Sequence, residues 1–254
     1  MSNETTTDQT EDAGRVALLD RADSLPGAAV LRARSYELLD LVPGALVVDV
    51  GCGTGRAVAE MTERGATAVG VDASEHMITV ARGRCPQARF HIASAEELPF
   101  DDGEVNAYRA DKVFHELDDP ARALREAHRV LAPGGRIVLL GQDWDTFVID
   151  SDHAELTRTI VRARADTIPS PRAARRYRNL LLDNGFLDVV VEVYTGVFTD
   201  STMLPVLVGI ADDARAVGAV TQDQADTWTA EQTERAQAGR MFFALPLFVG
   251  TARR

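Results

Sequence analysis

The chain has 254 residues, of which 45% are hydrophobic and 26% charged, a composition typical of a soluble globular protein. Its 27 basic and 39 acidic residues give a formal net charge of −12, which argues against binding to nucleic acid or to an anionic membrane, because both reward positive patches. No apolar run reaches the roughly 20 residues of a membrane-spanning helix, and the N-terminus lacks the features of a secretory signal. We therefore expect neither nucleic acid nor a membrane as a partner, and we predict a cytoplasmic protein that is a monomer or a homodimer.

The N-terminal residues 1–12 are polar and acidic, and we expect a disordered tail. Residues 13–254 are predicted to form a single domain. Residues 13–41 have helical character that Pro26-Gly27 interrupts, which predicts two helices. The two cysteines, Cys52 and Cys85, match neither a disulfide framework nor a zinc pattern, and we predict free thiols and no metal site.

A buried strand at residues 46–50 leads into a glycine-rich turn at residues 51–55, and a helix follows from Arg56. Glycine has no Cβ, so the turn lets a ligand approach the backbone, and the free amides of the helix start can donate to it. Asp72 ends the next apolar run, where a carboxylate can accept hydrogen bonds from a ribose diol. The pattern predicts a nucleotide-containing ligand; the alternative is a tight turn without one.

Strands and helices then alternate, with further strands predicted at residues 68–71, 89–93, 104–110 and 137–141. Alternation of this kind indicates an α/β fold with helices on both faces of a parallel sheet. The second half departs from it: residues 154–178 and 200–239 read as helical, and strands are predicted at 187–198 and 241–252. We predict a Rossmann-like, seven-stranded sheet, mostly parallel with an antiparallel last strand. The core is expected at about residues 30–145, 180–199 and 240–254.

Helical insertions are predicted at about residues 146–179 and 200–239. About 40 residues between the last two strands is far more than a hairpin turn requires. We interpret the second insertion as a lid over an acceptor pocket, with a dimer interface or surface decoration as the alternative.

Several motifs resemble those of class I S-adenosylmethionine-dependent methyltransferases. D-V-G-C-G-T-G at residues 49–55, followed by Asp72, resembles the family's motif I and its next acidic position. Residues 94–102 read S-A-E-E-L-P-F-D-D, which is similar to the family's D-A-E-x-L-P-F-x-D segment. Residues 129–135 read R-V-L-A-P-G-G, which is similar to the family's R-V-L-x-P-G-G turn. D-N-G-F at 183–186 is similar to the turn before its sixth strand. The resemblance spans about residues 30–195 and implies this fold and S-adenosylmethionine as the cofactor.

The resemblance also implies where the cofactor binds. Its ribose would bind Asp72, and its methionine part would lie along the turn near Asp49 and Arg109. Arg32 could reach the methionine carboxylate from the N-terminal helix; the alternative is a solvated or core role. The adenine would lie beside Ala73 and Met77, and Ser94 stands where the family commonly has Asp. The implied cofactor residues are Asp49, Gly51, Cys52, Gly53, Gly55, Asp72, Ala73, Met77, Ser94, Ala95, Glu96, Arg109 and Arg32.

His115, just beyond the fourth strand, is the candidate catalytic base. Methyl transfer requires an aligned acceptor, exclusion of water and removal of the acceptor's proton. Imidazole titrates near pH ~6.5, and in related small-molecule methyltransferases a histidine in this segment often faces the acceptor. The alternative is a histidine with a structural role.

Asp143-Trp144-Asp145 follows the fifth strand, at the edge where ligands bind in open α/β sheets. Trp144 could stack on an acceptor ring, and Asp143 or Asp145 could orient His115 or an acceptor amine. The alternative is a helix cap beside a packed aromatic. We predict Asp143 as catalytic and Trp144 and Asp145 as substrate-binding.

Two larger sets of residues are ambiguous in the sequence. A basic series could attract an anionic acceptor but is more typical of a solvated helix face; it comprises Arg158, Arg162, Arg164, Arg172, Arg175, Arg176 and Arg178. An apolar set could line an acceptor pocket or belong to the core; it comprises Met203, Leu204, Leu207, Trp228, Met241, Phe242 and Phe243.

The sequence therefore predicts methyl transfer from S-adenosylmethionine to an O or N atom of a small, largely apolar metabolite. A nicotinamide-dependent oxidoreductase is disfavoured, because Arg56 stands where the GxGxxG fingerprint has its third glycine. Methylation of adenine in nucleic acid is disfavoured because an N-P-P-Y motif is missing around Asn106. A peptide methyltransferase, or a protein of this fold that uses the cofactor for binding or cyclisation, remains an alternative.

Overall fold

The computed structural model describes residues 14, 16–17, 19–25 and 27–254. The tail predicted at residues 1–12 lies outside the described residues. Residues 19–23 are helical, and a second helix, α1, begins at Ala28 after Gly27, whose φ of 84° is left-handed. The helix α1 spans Ala28–Leu39. It is followed in chain order by α2 (Arg56–Glu63), α3 (Glu75–Arg84), α4 (Pro120–Val130), α5 (Ala154–Asp166), α6 (Tyr177–Asp183), α7 (Leu204–Ala216) and α8 (Gln222–Gln237).

In the part of the chain that the structure describes, eight strands form one sheet. They are β1 (Leu46–Val50), β2 (Thr67–Asp72), β3 (Arg89–Ile92), β4 (Val105–Asp111), β5 (Leu131–Gln142), β6 (Val148–Ile149), β7 (Leu187–Phe198) and β8 (Phe243–Arg253). The order β3-β2-β1-β4-β5-β8 is parallel up to β5. β8 is antiparallel to both β5 and β7, which confirms the predicted Rossmann-like fold with its antiparallel last strand.

Three details differ from the sequence prediction. The two-residue strand β6 adds to the seven predicted strands, because it pairs with the start of β8 beyond the end of β5. β5 begins at Leu131 rather than at residue 137, since the Pro-Gly-Gly turn lies within the extended segment. The predicted helix at residues 154–178 is instead α5, a short 3₁₀ turn (Ala174–Arg176) and the start of α6.

The sheet separates two hydrophobic cores. Adjacent residues of a strand point to opposite faces, so Val48 packs with α4 and α6 on one face, and Val47 packs with α1, α2 and α3 on the other. Buried branched and apolar residues fill the central strands throughout, as expected for a parallel sheet covered on both sides.

The helical insertions form a third core of their own. Trp228 of α8 is completely buried there and donates a hydrogen bond from Nε1 to Oγ1 of Thr157 on α5, at 2.9 Å. α5, α7 and α8 pack together with the start of β8. The insertion at 200–239 therefore braces α5 from behind, and its role as a lid stays a prediction.

The carboxyl ends of the parallel strands meet at one edge of the sheet. The glycine turn follows β1, Asp72 ends β2, Lys112 follows β4, and Asp143 follows β5. The sequence motifs, which are far apart in the chain, are brought together by this topology.

Candidate functional site

A cavity of about 340 Å³ opens at the carboxyl edge of the sheet, within the usual size range of small-molecule sites. It is lined by most of the cofactor residues that the sequence predicts. These are Asp49, Gly51, Cys52, Gly53, Asp72, Ala73, Met77, Ser94, Ala95, Arg109 and Arg32.

The glycine turn forms the floor of this cavity, and its backbone conformation requires glycine at specific positions. Gly51 and Gly53 have φ of 67° and 51°, in the left-handed region that favours glycine. A Cβ at Gly51 would also collide with Cγ2 of Val113. Gly55 has φ of 83° and precedes α2, and a Cβ at this position would lie only 3.0 Å from the ring of Phe90 and 3.1 Å from Cβ of Ala81. Gly55 therefore shapes the turn from behind the cavity wall.

Asp72 holds the turn in place. Its Oδ2 accepts a hydrogen bond from the amide of Gly53, and its Oδ1 accepts one from the amide of Ser74, both at 2.9 Å. A carboxylate has about four acceptor positions. Asp72 can therefore brace the turn and still accept hydrogen bonds from a ligand in the cavity.

A buried ionic network lies beneath the other end of the cavity. Arg109 of β4 donates from Nη1 to Asp49 and from Nη2 to Asp111, both at 2.8 Å, and from Nε to Oγ of Ser35 on α1 at 3.0 Å. The side chains of Arg109 and Asp49 are each only 3% exposed. Lys112 extends the network with an ion pair to Asp111 at 3.1 Å.

The two carboxyls of this network have pKa values shifted in opposite directions. Burial raises the pKa of Asp49, and the attraction of Arg109 opposes that rise. Burial would also raise the pKa of Asp111, but the charges and hydrogen bonds of Lys112 and Arg109 outweigh it and hold the pKa below its usual range. Asp111 is therefore ionised at neutral pH and neutralises the two cations beside the cavity.

Arg32 of α1 reaches the cavity from above the network. It is 7% exposed, and its ion pairs to Asp23 and Glu60 are long, at 3.4 and 3.3 Å. Its buried Nε has no hydrogen-bond partner within the described residues. A buried donor without a partner is costly, and Arg32 as a residue also lines the cavity.

The N-terminal helical residues cover one side of the cavity. Leu19 lies over Gly53, and Asp23 forms an ion pair with Arg56 at the start of α2, at 2.8 Å. Asp20 binds Arg84 at the end of α3 through two hydrogen bonds of 2.7 and 2.8 Å. These contacts attach the N-terminal segment to both helices that flank the cavity.

The far end of the cavity is less polar. Ser74 caps α3 and accepts a hydrogen bond from the amide of Met77, whose side chain is buried. Oγ of Ser94 accepts a hydrogen bond from the amide of Glu96 at 3.1 Å. Glu96 itself forms an ion pair with Arg122 at 3.1 Å and does not belong to the cavity wall.

His115 lies behind the cavity rather than in its wall. The residue is 5% exposed, its Nε2 lies 3.0 Å from Oε1 of Glu116, and its ring meets that of Trp144 edge-on at 5.6 Å. Glu116 is the member of this pair that lines the cavity. His115 can therefore reach a ligand in the cavity only through Glu116.

The segment after β5 is held by arginines. Asp143 is fully buried, forms an ion pair with Arg175, and accepts a hydrogen bond from the amide of Asp145. Asp145 pairs with Arg172 at 2.8 Å. Asp143 therefore caps a turn rather than a helix, since the next helix begins only at Ala154, and these contacts do not bring Asp143 to His115.

Trp144 lies between His115 and Arg164, whose guanidinium carbon is 4.7 Å from the ring centroid. Among the described residues, its buried Nε1 has no hydrogen-bond partner. The predicted apolar set is mostly core: Met203, Leu207, Trp228, Met241 and Phe243 are buried in the insertion cluster.

Sequence reasoning missed Lys112 and Glu116, which also line the cavity. Lys112 is the single lysine of the chain, and it is one of three non-glycine residues with left-handed φ in the described part, at 62°. Such backbone strain is concentrated at functional sites. The uniqueness of this lysine was visible in the sequence, whereas its exposure to the cavity was not.

The described residues contain no group of three or more His, Cys, Asp or Glu that could hold a metal ion. Within the same residues, no helix is both long and apolar enough to cross a membrane. The thiols of Cys52 and Cys85 are buried and unpaired, and burial raises the pKa of both.

The sheet order and the glycine-floored cavity at its carboxyl edge define a Rossmann-like α/β protein. Comparisons with known proteins agree: residues 48–139 match the family model described as a methyltransferase domain. An uncharacterized 37.1 kDa protein of a Streptomyces fradiae transposon is 31% identical over 94% of this chain and 71% of its own length. An uncharacterized methyltransferase of Mycobacterium bovis is 43% identical over 42% of this chain and 43% of its own length.

The fold also matches solved structures. A methyltransferase candidate from Bacillus halodurans superposes with a TM-score of 0.61 at 21% identity, over 87% of this chain and 97% of that one. The family-model match, which includes the glycine turn and Asp72, and the methyltransferase relatives support a class I S-adenosylmethionine-dependent methyltransferase. The predicted family resemblance is thereby confirmed.

Replacement of Arg109 by Gln is expected to lower the free energy of unfolding by about 3–5 kcal/mol, because it leaves Asp49 buried without a cation. Urea unfolding followed by circular dichroism measures the change. Arg136→Gln is the matched control, since Arg136 also lies on a strand and pairs with an aspartate, Asp40, at 2.8 Å, but at the surface. It should lose no more than about 1 kcal/mol, and equal losses in the two variants would contradict the account.

Proposed function

We propose that this protein transfers a methyl group from S-adenosylmethionine to an O or N atom of a small, largely apolar metabolite in the cytoplasm. The observation that carries the proposal is the cavity floored by the glycine turn. Along the sheet edge, its side chains suit the adenine, the ribose and the methionine part of this cofactor in turn. When bound, the cofactor supplies a methyl group that its positive sulfur has already activated.

The residues of the cavity fit each part of the cofactor. Asp72 offers two carboxylate oxygens for the two ribose hydroxyls. Met77 and Ala73 give an apolar surface for the adenine, and Ser94 offers a hydroxyl at its edge. Arg32 lines the cavity and has only long ion pairs, at 3.4 and 3.3 Å, so its guanidinium suits the methionine carboxylate.

Asp49 suits the methionine ammonium but shares its charge with Arg109. The ion pair fixes the carboxylate beneath the glycine turn. It also limits the negative charge that the ammonium meets. We assign Asp49 to this group because it lines the cavity next to Gly51.

The acceptor would meet the methyl group beyond the methionine part, where the loop after β4 supplies Lys112, Glu116 and Leu117. The acceptor must lose a proton as its O–C or N–C bond forms. We assign receipt of that proton to the Glu116 carboxylate, which lines the cavity. His115, at 3.0 Å from Glu116, orients the carboxylate and can take the proton onward.

Replacement of Asp72 by Ala is expected to weaken binding of S-adenosylmethionine by about 1–3 kcal/mol, because charged hydrogen bonds are lost. Equilibrium dialysis with labelled cofactor measures the dissociation constant. Asp72→Asn keeps one acceptor oxygen and should lie between Asp72→Ala and the wild type.

Asp212→Asn is the control, because Asp212 is an exposed carboxylate on α7 and should leave affinity unchanged. Circular dichroism would verify that the two Asp72 variants remain folded. If folded Asp72→Ala binds the cofactor as tightly as the wild type, the ribose assignment fails.

Replacement of Glu116 by Gln is expected to lower kcat for methyl transfer about 10²–10⁴-fold, the usual contribution of a positioned base. His115→Asn should lower kcat less and change the pH profile of kcat/KM, since it acts through Glu116. Both rates are measured with labelled methyl on an acceptor found by screening. Glu97→Gln, an exposed carboxylate after β3, is the control, and full turnover by Glu116→Gln would exclude this proton path.

A further inference from the structure

A second and larger cavity, of about 730 Å³, lies between α5 and the segment at residues 145–151. We call it the arginine groove. Its floor includes Phe147, Ile149 and Val161, and its rim carries Arg158, Arg162 and Arg172. An apolar floor with a few charged groups at the rim is the usual form of a small-molecule site.

The groove lies beside the cofactor cavity along the same sheet edge, because residues 145–151 follow β5 and the cavity residues follow β1, β2 and β4. A continuous set of contacts joins the two spaces. Trp144, next to Asp145 of the groove, meets the ring of His115 at 5.6 Å. His115 in turn contacts Glu116 in the wall of the cofactor cavity.

Most polar groups of the groove wall are already engaged. Asp145 pairs with Arg172 at 2.8 Å, and Asp150 pairs with Arg235 at 2.7 Å. Thr157 accepts the hydrogen bond of Trp228, and Ser151 donates to Glu231 at 2.6 Å. The acidic residues of the wall are therefore neutralised, and the hydroxyls have partners.

Arg158 and Arg162 are the most exposed arginines of the groove. Their side chains are 65% and 77% exposed, and they lie one helical turn apart on the groove face of α5. Like charges at this spacing destabilise a helix slightly. Arg158 pairs with Glu155 of the preceding turn, and Arg162 is 3.9 Å from Asp166, so both guanidinium groups can turn toward an anion.

We propose that the arginine groove binds the methyl acceptor and that this acceptor combines an apolar body with an anionic group. Arg158 and Arg162 bind the anion, a carboxylate, sulfonate or phosphate, through charge-assisted hydrogen bonds. The body lies on Phe147, Ile149 and Val161 and extends toward Trp144 and the cofactor cavity. This inference rests on the proposed function and narrows its acceptor class.

The test uses two probes that share one aromatic body. 8-Anilinonaphthalene-1-sulfonate carries an anion, and N-phenyl-1-naphthylamine is its neutral counterpart. Both are titrated by fluorescence into the full-length wild type, into Arg158→Gln/Arg162→Gln, and into the control Arg125→Gln/Arg215→Gln. The control arginines are also exposed and have weak ion pairs, at 3.5 and 3.9 Å, but they line neither cavity.

The groove variant should bind the sulfonate about tenfold more weakly than the wild type, since two charged hydrogen bonds are lost, and should bind the neutral probe equally well. Wild-type affinity for the sulfonate should fall as NaCl rises from about 0.05 to about 0.5 M. Unchanged sulfonate affinity in the groove variant, or an equal loss in the control, would overturn the proposal.

Calorimetry with S-adenosylhomocysteine separates this inference from the proposed function. All three proteins should bind that compound equally, because the substituted arginines lie outside the cofactor cavity. If the wild type binds the sulfonate through Arg158 and Arg162 but does not bind S-adenosylhomocysteine, the proposed function fails and the groove is an anion site unrelated to methyl transfer. If S-adenosylhomocysteine binds and the sulfonate does not, the acceptor assignment alone is overturned.

Discussion

The ion pair between Arg109 and Asp49 is the interaction on which the rest of the site depends. It joins β4 to β1 directly beneath the glycine turn, and through Ser35 it also fixes α1 against the sheet. Because both charges are almost fully buried, each is tolerated only in the presence of the other. The pair therefore sets the position of the strand ends from which Gly51, Lys112 and Glu116 extend into the cavity.

The two cavities are supported in different ways. The cofactor cavity rests on the parallel strands, whose register places Asp49 beside Arg109 and Asp72 beside Ile92. The arginine groove rests on α5, which α7 and α8 brace through a separate core centred on Trp228. Under the proposed function, the acceptor would contact a wall built from an insertion, and the cofactor would contact the parallel strands. The fold and the acceptor specificity would then be carried by different parts of the chain.

The motif residues could be placed from the sequence because local rules govern them. Glycines with left-handed φ, an acid at the end of a strand and the alternation of strands and helices all leave short-range patterns. The partners of His115 and Asp143 could not be predicted in this way. His115 faces Glu116 and Trp144, and Asp143 faces Arg175, which lies 32 residues away. Such pairings depend on how loops and insertions pack, and no periodicity in the sequence records them. The packing of the insertion at 200–239 against α5 is likewise a long-range contact that the sequence does not reveal.

The most direct test of the central claim is calorimetric titration of the wild-type protein with S-adenosylmethionine and S-adenosylhomocysteine, with NADH as the control. The account predicts saturable binding of the first two compounds at one site, with micromolar dissociation constants, and no heat of binding for NADH. Binding of NADH alone would contradict the account, because the cavity would then serve a nicotinamide cofactor. Absence of binding for all three compounds would contradict it as well, since the glycine turn, Asp72 and Arg32 are already arranged to receive the ligand.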